Sequence, residues 1–501
     1  MLKLVRYIFG TQRGSGRPGT GGRRWRLQPV TPAALSARYD AAQTTDQDRR
    51  HWANADHLSA DAAANPQVRR VLRNRARYEV ANNAYAKGIV LTLANDCIGT
   101  GPRLQMLGED SEANGVVEKA FARWAHAIDL PEKLRTLRIS QLVDGESFAL
   151  LTTNPRVDEP VQLDLRLIEA DRVCDPSPRM VPDGRHVDGI IFDAWGNRLE
   201  YMILRRHPGD QRWRGPVLDY DRVPAEAVVH LYRVERPGQS RGVPAITPAL
   251  TLFAQLRRYT LAVLGSAEQA ALPGGVVYTD APPNGEAESV EPMDAIEIDR
   301  GMWMTMPGGW KMGQVRAEQP TTTYGEFKRE LINEIARCLN MPFNIAAGNS
   351  AGYNYASGRL DHQTYYKSIR VDQAHIAANV LDRIFHAWLD EAVLIEGFLP
   401  QAMRALDSDR RHQWFWDGQE HVDPAKEANA QATRLSANTT TLSREYARVG
   451  LDWEAELRQR AKEKALMREL GLTDEEAGPA VDSEREHEDE DAEQRIEHQG
   501  R

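Results

Sequence analysis

Over residues 324–339 the apolar side chains Phe327, Leu331, Ile335 and Leu339 recur at every fourth position, the stripe of a helix packed on one side. Met341-Pro342 ends it, because proline biases its predecessor out of the helical region. Residues 343–357 carry no charged side chain; their glycines, asparagines and tyrosines predict a mobile loop that presents amides and hydroxyls. Residues 359–396 then contain neither glycine nor proline, and Ile369, Ile376, Val380, Ile384 and Trp388 keep helical spacing. A continuous helix there would run about 57 Å, a length typical of bundles and assemblies.

Upstream, residues 66–97 read as a helix with Val68, Leu72, Val80 and Ala84 near one face and Arg69, Arg73 and Arg77 stacked four apart on another. Such an arginine stripe suits nucleic acid, an acidic neighbour or, as is commonest for surface arginines, plain solvent. Helices over 113–127 and 133–143 precede five strands separated by turn residues: FALLTT from Phe148, VQLDLRLIE from Val161, GIIFDAW from Gly189, LEYMILRR from Leu199 and AVVHLYR from Ala227. This predicts an α+β body with a largely antiparallel sheet. Pro248 opens a helix reaching Leu272. Residues 276–320 mix the short strands VVYT and MWMTM with proline-rich turns. Three helices follow over 425–436, 443–449 and 452–470, with Ser443 and Asp452 as N-caps.

Composition refines this picture. A chain of 501 residues divides into several domains, and 41% apolar content with 11 Trp supports a packed body. Cys97, Cys174 and Cys338 lie far apart without CxxC or Cys/His pairing, so neither a disulfide framework nor a zinc site is indicated and a reducing compartment fits best. No apolar run has the length of a signal peptide or membrane span; the longest candidate, 250–265, is broken by Arg257-Arg258. The net charge of −9 is unevenly spread: residues 1–30 hold seven basic and no acidic side chains, and 474–497 hold twelve acidic and two basic. Without that tail and Arg501 the rest of the chain is neutral. Both ends read as flexible extensions. Residues 276–320 are acidic, with eight Asp or Glu against three Lys or Arg.

Chemistry is sparse. Asp144 and Glu146 in VDGES, with Glu169 and Asp171 in IEADR, are the one carboxylate set that two-metal hydrolysis of a nucleic acid would call for. No lysine follows at the usual spacing, and DGE is a common turn. There is no GxxxxGK[ST], HExxH or GxSxG, so neither nucleotide hydrolysis nor the commoner hydrolases are signalled; no cofactor or metal is expected. A monomeric DNA-binding adaptor using the basic amino terminus is a further reading, opposed by the neutral body.

The chain resembles the portal proteins of tailed bacteriophages, in particular the lambda-like family, over about residues 24–472. The resemblance lies in the helix ending LNMP, the loop NSAGYNYASGRL, ERPGQSRGVPAITPAL from Glu235, WDGQEHVDPAKEA from Trp416, RYEVANNAYAKGIVLTLANDCIGTGPRLQ from Arg77 and LIEADRV from Leu167, in that family's order. It implies a non-enzymatic ring of about twelve subunits at one capsid vertex, a channel for double-stranded DNA. Its partners would be the terminase large subunit, the major capsid and scaffold proteins and a head–tail connector, with no membrane. Its place would be the virion, and the host cytoplasm during assembly. The implied parts are a basic arm (1–29), a wing (30–245 and 358–424), stem helices (246–272 and 321–342), a clip (273–320), a tunnel loop (343–357), a crown (425–472) and an acidic tail (473–501). Asn344, Asn349, Ser350, Tyr353, Asn354 and Tyr355 would meet DNA; Lys328, Arg329 and Arg337 would face the lumen or a neighbouring subunit. Glu286, Glu288, Glu291, Asp294 and Glu297 would meet the motor.

Overall fold

A computed structural model of the chain describes residues 46–176, 186–210, 219–271, 275–279, 310–314, 323–352, 355–404, 410–418 and 424–472. The chain divides into two compact units, Met1–Leu58 and Ser59–Arg501. The first contributes the short helix α1 (Asp46–His51); everything that follows belongs to the second.

After α2 (Ala60–Ala63), the single helix expected over 66–97 proves to be two, α3 (Pro66–Asn82) and α4 (Ala84–Ile98). Asn83 breaks it. With φ −119° and ψ 117° it leaves the helical region, and its side-chain oxygen accepts from the Tyr85 and Ala86 backbone N–H groups. Two of the donors that every helix start leaves unpaired are thereby satisfied. The same amide donates to the Phe253 carbonyl at 3.2 Å, fastening this corner to a distant helix.

The apolar face read from the sequence packs only in part: Leu72 and Val80 lie against the second core, whereas Val68 is exposed and Ala84 lies in the next helix, and it is Arg69 and Arg73 that are buried.

Strand β1 (Arg103–Met106) and helices α5 (Ser111–Ala127) and α6 (Leu130–Asp144) lead into β2 (Glu146–Thr153) and β3 (Leu163–Ile168). Then come β4 (His186–Val187), β5 (Ile190–Phe192), β6 (Arg198–Leu204), β7 (Tyr220–Pro224) and β8 (Val228–Tyr232). The expected strands form, but in two antiparallel sheets, ordered β3-β2-β8 and β4-β5-β6-β7. Phe148 sits opposite both Ile168 and His230. It joins Ile190, Tyr201 and Val228 in a small core between the sheets.

A 3-10 turn, Thr247–Ala249, opens α7 (Leu250–Ala271). β9 (Gly275–Thr279) pairs antiparallel with β10 (Trp310–Gln314), so the partner of VVYT is WKMGQ; MWMTM lies outside the described residues. α8 (Tyr324–Arg337) and α9 (Phe343–Ala347) follow. A helical rod then runs from α10 (Tyr355–Ile376) through a π turn at Ala377–Leu381 into α11 (Asp382–Ala392). It is continuous over about 57 Å, but starts four residues earlier than expected and stops at Ala392. Within the π turn, Asn379 donates to the His375 carbonyl at 2.8 Å.

α12 (Gln401–Arg404) precedes β11 (His412–Phe415), which closes back antiparallel onto β1. The last helices are α13 (Pro424–Ser436), α14 (Leu442–Arg448) and α15 (Trp453–Glu469). Asp452 caps α15 as expected, but α14 is capped by Thr441, whose hydroxyl accepts from the Arg444 N–H.

Two large cores hold the unit together. One gathers Phe121, Trp124, Phe385 and Trp388, with Phe121 ring-to-ring at 5.3 Å from both tryptophans. The Trp124 indole also donates to the Leu163 carbonyl. The other joins α4, α7, α8 and α10 through Ile89, Leu93, Phe253, Leu256, Ile332, Ile335, Tyr365 and Ile369. This second core seats α8, α9 and the first part of the rod.

Candidate functional site

The uncharged stretch after Pro342 is not a loop throughout. Phe343–Ala347 is helical because proline supplies the extended residue before the first turn, and Ala346 is buried in the second core. Gly348 ends it at φ 60°, a left-handed position that favours glycine. With the rod beginning at Tyr355, the free connection shrinks to residues 348–354.

Asn344 is therefore corrected: it is buried, its amide lies 3.1 Å from the His362 ring nitrogen on α10, and its carbonyl accepts from the Asn349 N–H. Its side chain pins the root of the loop instead of presenting itself. Asn349 and Ser350 are exposed, and the Asn349 side-chain oxygen accepts from the Ala351 N–H. Tyr353 and Asn354 lie outside the described residues, as does the side chain of Tyr355, whose backbone opens α10.

The three cations of α8 part company. Lys328 is half-buried, its ammonium 5.1 Å from the centre of the Tyr85 ring and 5.6 Å from that of Tyr324. Desolvation works against its charge, but the Tyr85 and Tyr324 hydroxyls outweigh it and raise its pKa. Arg329 lies over the Phe343 ring at 5.9 Å, tying α8 to α9. Arg337 is exposed and, among the described residues, bonds Asn340 at 3.3 Å. Glu286, Glu288, Glu291, Asp294 and Glu297 lie outside the described residues.

A second cluster was visible in the sequence only as unconnected halves. The arginine stripe of α3 and the carboxylates of VDGES and IEADR meet in the interior. Glu146, fully buried, accepts from Arg241 at 2.7 Å and 2.8 Å, from Arg73 at 3.0 Å and from the Gly242 N–H at 3.0 Å. Arg73 also reaches Asp171 at 2.9 Å. Arg77 bridges Asp144 at 2.6 Å and Asp171 at 2.7 Å. Arg69 and Arg241 share Asp188. Glu169 lies at the edge, more than half exposed, beside a His207 nitrogen that also comes within 3.6 Å of Asp171.

The arginine face is thus neither solvated nor free for nucleic acid, because burial without partners would cost several kcal/mol per charge and the carboxylates supply those partners. By the same pairing, Asp144, Glu146 and Asp171 are each engaged by a guanidinium group, which weighs against the nuclease reading.

The electrostatics fit this arrangement. Burial alone would raise the Glu146 pKa, but Arg241, His230 and Arg73 hold it well below the usual carboxylate range. Burial pushes His230 down to about 4 despite the pull of Glu146. A neutral imidazole fits its neighbours, with the Tyr201 hydroxyl at 3.3 Å from one nitrogen and Glu146 at 3.2 Å from the other. Sequence reasoning missed Arg241, Asp188 and His230; the only hint was the Arg-Gly pair of QSRGVP. That glycine is demanded by contact, since a Cβ on Gly242 would fall 2.0 Å from the Gly145 carbonyl oxygen.

The cluster welds the segment leading into α7 to the corner between α6 and β2. It is a framework that holds helices at fixed angles. Residues 46–373 match the model of the family described as phage portal protein, lambda family, and the chain belongs to that family. A probable portal protein of Halomonas phage phiHAP-1 is 26% identical over 426 residues, covering 80% of this chain and 81% of that one. Portal protein B of Escherichia phage lambda is 21% identical over 485 residues, with 84% and 88% covered. The portal protein of Escherichia phage N15 is 23% identical, with 84% and 89% covered. Among solved structures, a chain from the virion of a native gene transfer agent particle aligns with TM-score 0.48 and 14% identity over 75% of this chain and 92% of that one. A chain from the neck of the native particle, computed with C12 symmetry, aligns with TM-score 0.46 and 16% identity, covering 77% and 94%.

Proposed function

We propose that about twelve copies of this chain close into a ring at one vertex of a phage capsid, and that double-stranded DNA is packaged and later ejected through its centre. Membership of the lambda portal family over residues 46–373 carries this reading. In it, α7 and α8 are the paired stem and residues 348–354 are the loop that reaches the channel. The sheets with the long rod form the wing, α13 to α15 the crown, and β9 and β10 belong to the clip. The terminase large subunit docks on the clip, where Glu286, Glu288, Glu291, Asp294 and Glu297 meet it, and a head–tail connector takes its place once the head is full. Major capsid and scaffold proteins surround the wing. The ring assembles in the host cytoplasm and ends in the virion, with no membrane involved.

Physical reasoning supports a passive channel. Each phosphate neutralised by Lys or Arg adds a salt-dependent attraction that a translocating duplex must break. The exposed Asn349 and Ser350 offer only neutral, exchangeable hydrogen bonds.

The test is the assembly state of the purified chain by negative-stain electron microscopy with mass photometry on the same sample. Rings with a central hole wide enough for duplex DNA are expected. A compact monomer at micromolar concentration and above would overturn the reading.

A further inference from the structure

We infer that the outer face of α3 in one subunit docks against the outer face of α8 in the next copy of the chain. This rests on the ring reading above and names the surfaces that close it.

Helix α3 buries its arginines and leaves Val68, Val71 and Tyr78 outside, at 38%, 46% and 56% exposure. Val71, Arg75 and Tyr78 follow one another at four and three residues, one helical stripe. Arg75 stands within this stripe and Arg70 flanks it; both are exposed and neither forms an ion pair among the described residues. The surface continues onto α7, where Arg257 lies over the Tyr78 ring and bonds its hydroxyl at 3.2 Å. Leu261 and Leu264, four and seven residues beyond Arg257 on the same side of that helix, are more than half exposed. The face therefore mixes apolar and cationic side chains, with Glu268 exposed beyond Leu264 at its far end.

Helix α8 has the opposite character. Its inner side, Leu331, Ile332, Ile335 and Ala336, is buried, and its outer side carries Glu326, Glu330 and Glu334 at four-residue spacing. These three are exposed and form no ion pair among the described residues. Phe327 beside them is 52% exposed. Of the two exposed arginines of α8, Arg337 is bonded to Asn340 and Arg329 lies over the Phe343 ring.

The two faces lie on opposite sides of α7. Arg257 turns to α3, and Tyr259 turns to α8, its ring meeting Phe327 edge-to-face at 4.9 Å and Tyr324 at a tilt at 5.5 Å. Residues two apart on a helix point away from each other. Complementary patches on opposite sides of one subunit are the requirement for head-to-tail closure. A two-fold dimer through either face would instead set like charges against each other. Nucleic acid fits the α3 face less well, since Val68, Val71, Leu261 and Leu264 match no phosphate.

Charge reversal tests the pairing. R70E/R75E and E326K/E330K should each fold as wild type by circular dichroism yet lose rings, with the ring fraction in mass photometry falling at least ten-fold. A one-to-one mixture of the two variants, or all four changes in one chain, should restore them, because every junction again joins opposite charges. Rings from each variant alone would overturn the inference and leave the ring reading standing. So would rings of E326K/E330K that gain salt-sensitive DNA binding, which would turn α8 toward the channel. Failure of the mixture and of the four-fold variant to reassemble would overturn it too. Absence of rings from the wild-type chain would bring down the ring reading itself.

Discussion

Glu146 decides more than any other side chain in the described interior. It is fully buried and holds Arg241, Arg73 and the Gly242 N–H together. Glu146→Gln keeps the volume but strands the guanidinium groups, so a loss of about 3–5 kcal/mol is expected, read as a lower urea midpoint. Replacing Glu146 and Arg241 together by Leu and Met should recover part of that loss. The same cluster sets an acid limit. His230 ordinarily titrates near 6.5 but near 4 in the fold, so as pH falls from 6.5 to 4 the unfolded chain takes up a proton that the folded chain refuses. Stability should drop by up to about 3 kcal/mol over that window. Glu146, depressed below its ordinary 4.5, removes more as pH falls further. Thermal melts at pH 7.5, 5.5 and 4.5 would follow this, and His230→Gln should flatten the upper part. Both halves of the cluster stood plainly in the sequence, as an arginine stripe and as two carboxylate motifs. Their meeting did not, because Arg73 and Glu146 are 73 positions apart. A surface stripe and a buried one are written with the same letters.

At the level of elements, long periodic helices were legible and their interruptions were not. The stripe of Phe327, Leu331 and Ile335 marked α8, and the strands from Phe148 to Ala227 appeared where alternation placed them. Asn83 gave no warning, since asparagine is tolerated within a helix; its double role as cap and as donor to Phe253 depends on a chain 170 residues away. Asn83→Ala should cost about 1–2 kcal/mol, seen in a melt. The lack of charge after Pro342 conceals a helix: FNIAA is uncharged and largely apolar, and its burial beside α4 comes from tertiary packing. What remains exposed, Asn349 to Gly352, is a short span. Replacing residues 349–354 with a Gly-Ser linker should leave rings intact but reduce packaged DNA. Normal genome content in particles carrying that variant would deny the loop any part in translocation.

For the whole molecule, charge of opposite sign stands at the two ends of the chain, and the body between them is net acidic, at −7. Rings should accordingly bind duplex DNA with a log–log salt slope shallower than about −2, fewer than about three phosphates neutralised; a steep slope in filter binding would contradict a passive channel. The long rod links the loop at Tyr355 to the aromatic core at Trp388, and in its middle the π turn at Ala377–Leu381 accommodates one residue more than an α-helix needs. That surplus is slack. Deleting one residue elsewhere in the rod would swing everything beyond it by about 100°, whereas deleting Asn379 should merely regularise the turn. The rod is in effect a shaft with an adjustable coupling, and its phase, which decides where the loop emerges, can be reset at that one place without dismantling the core.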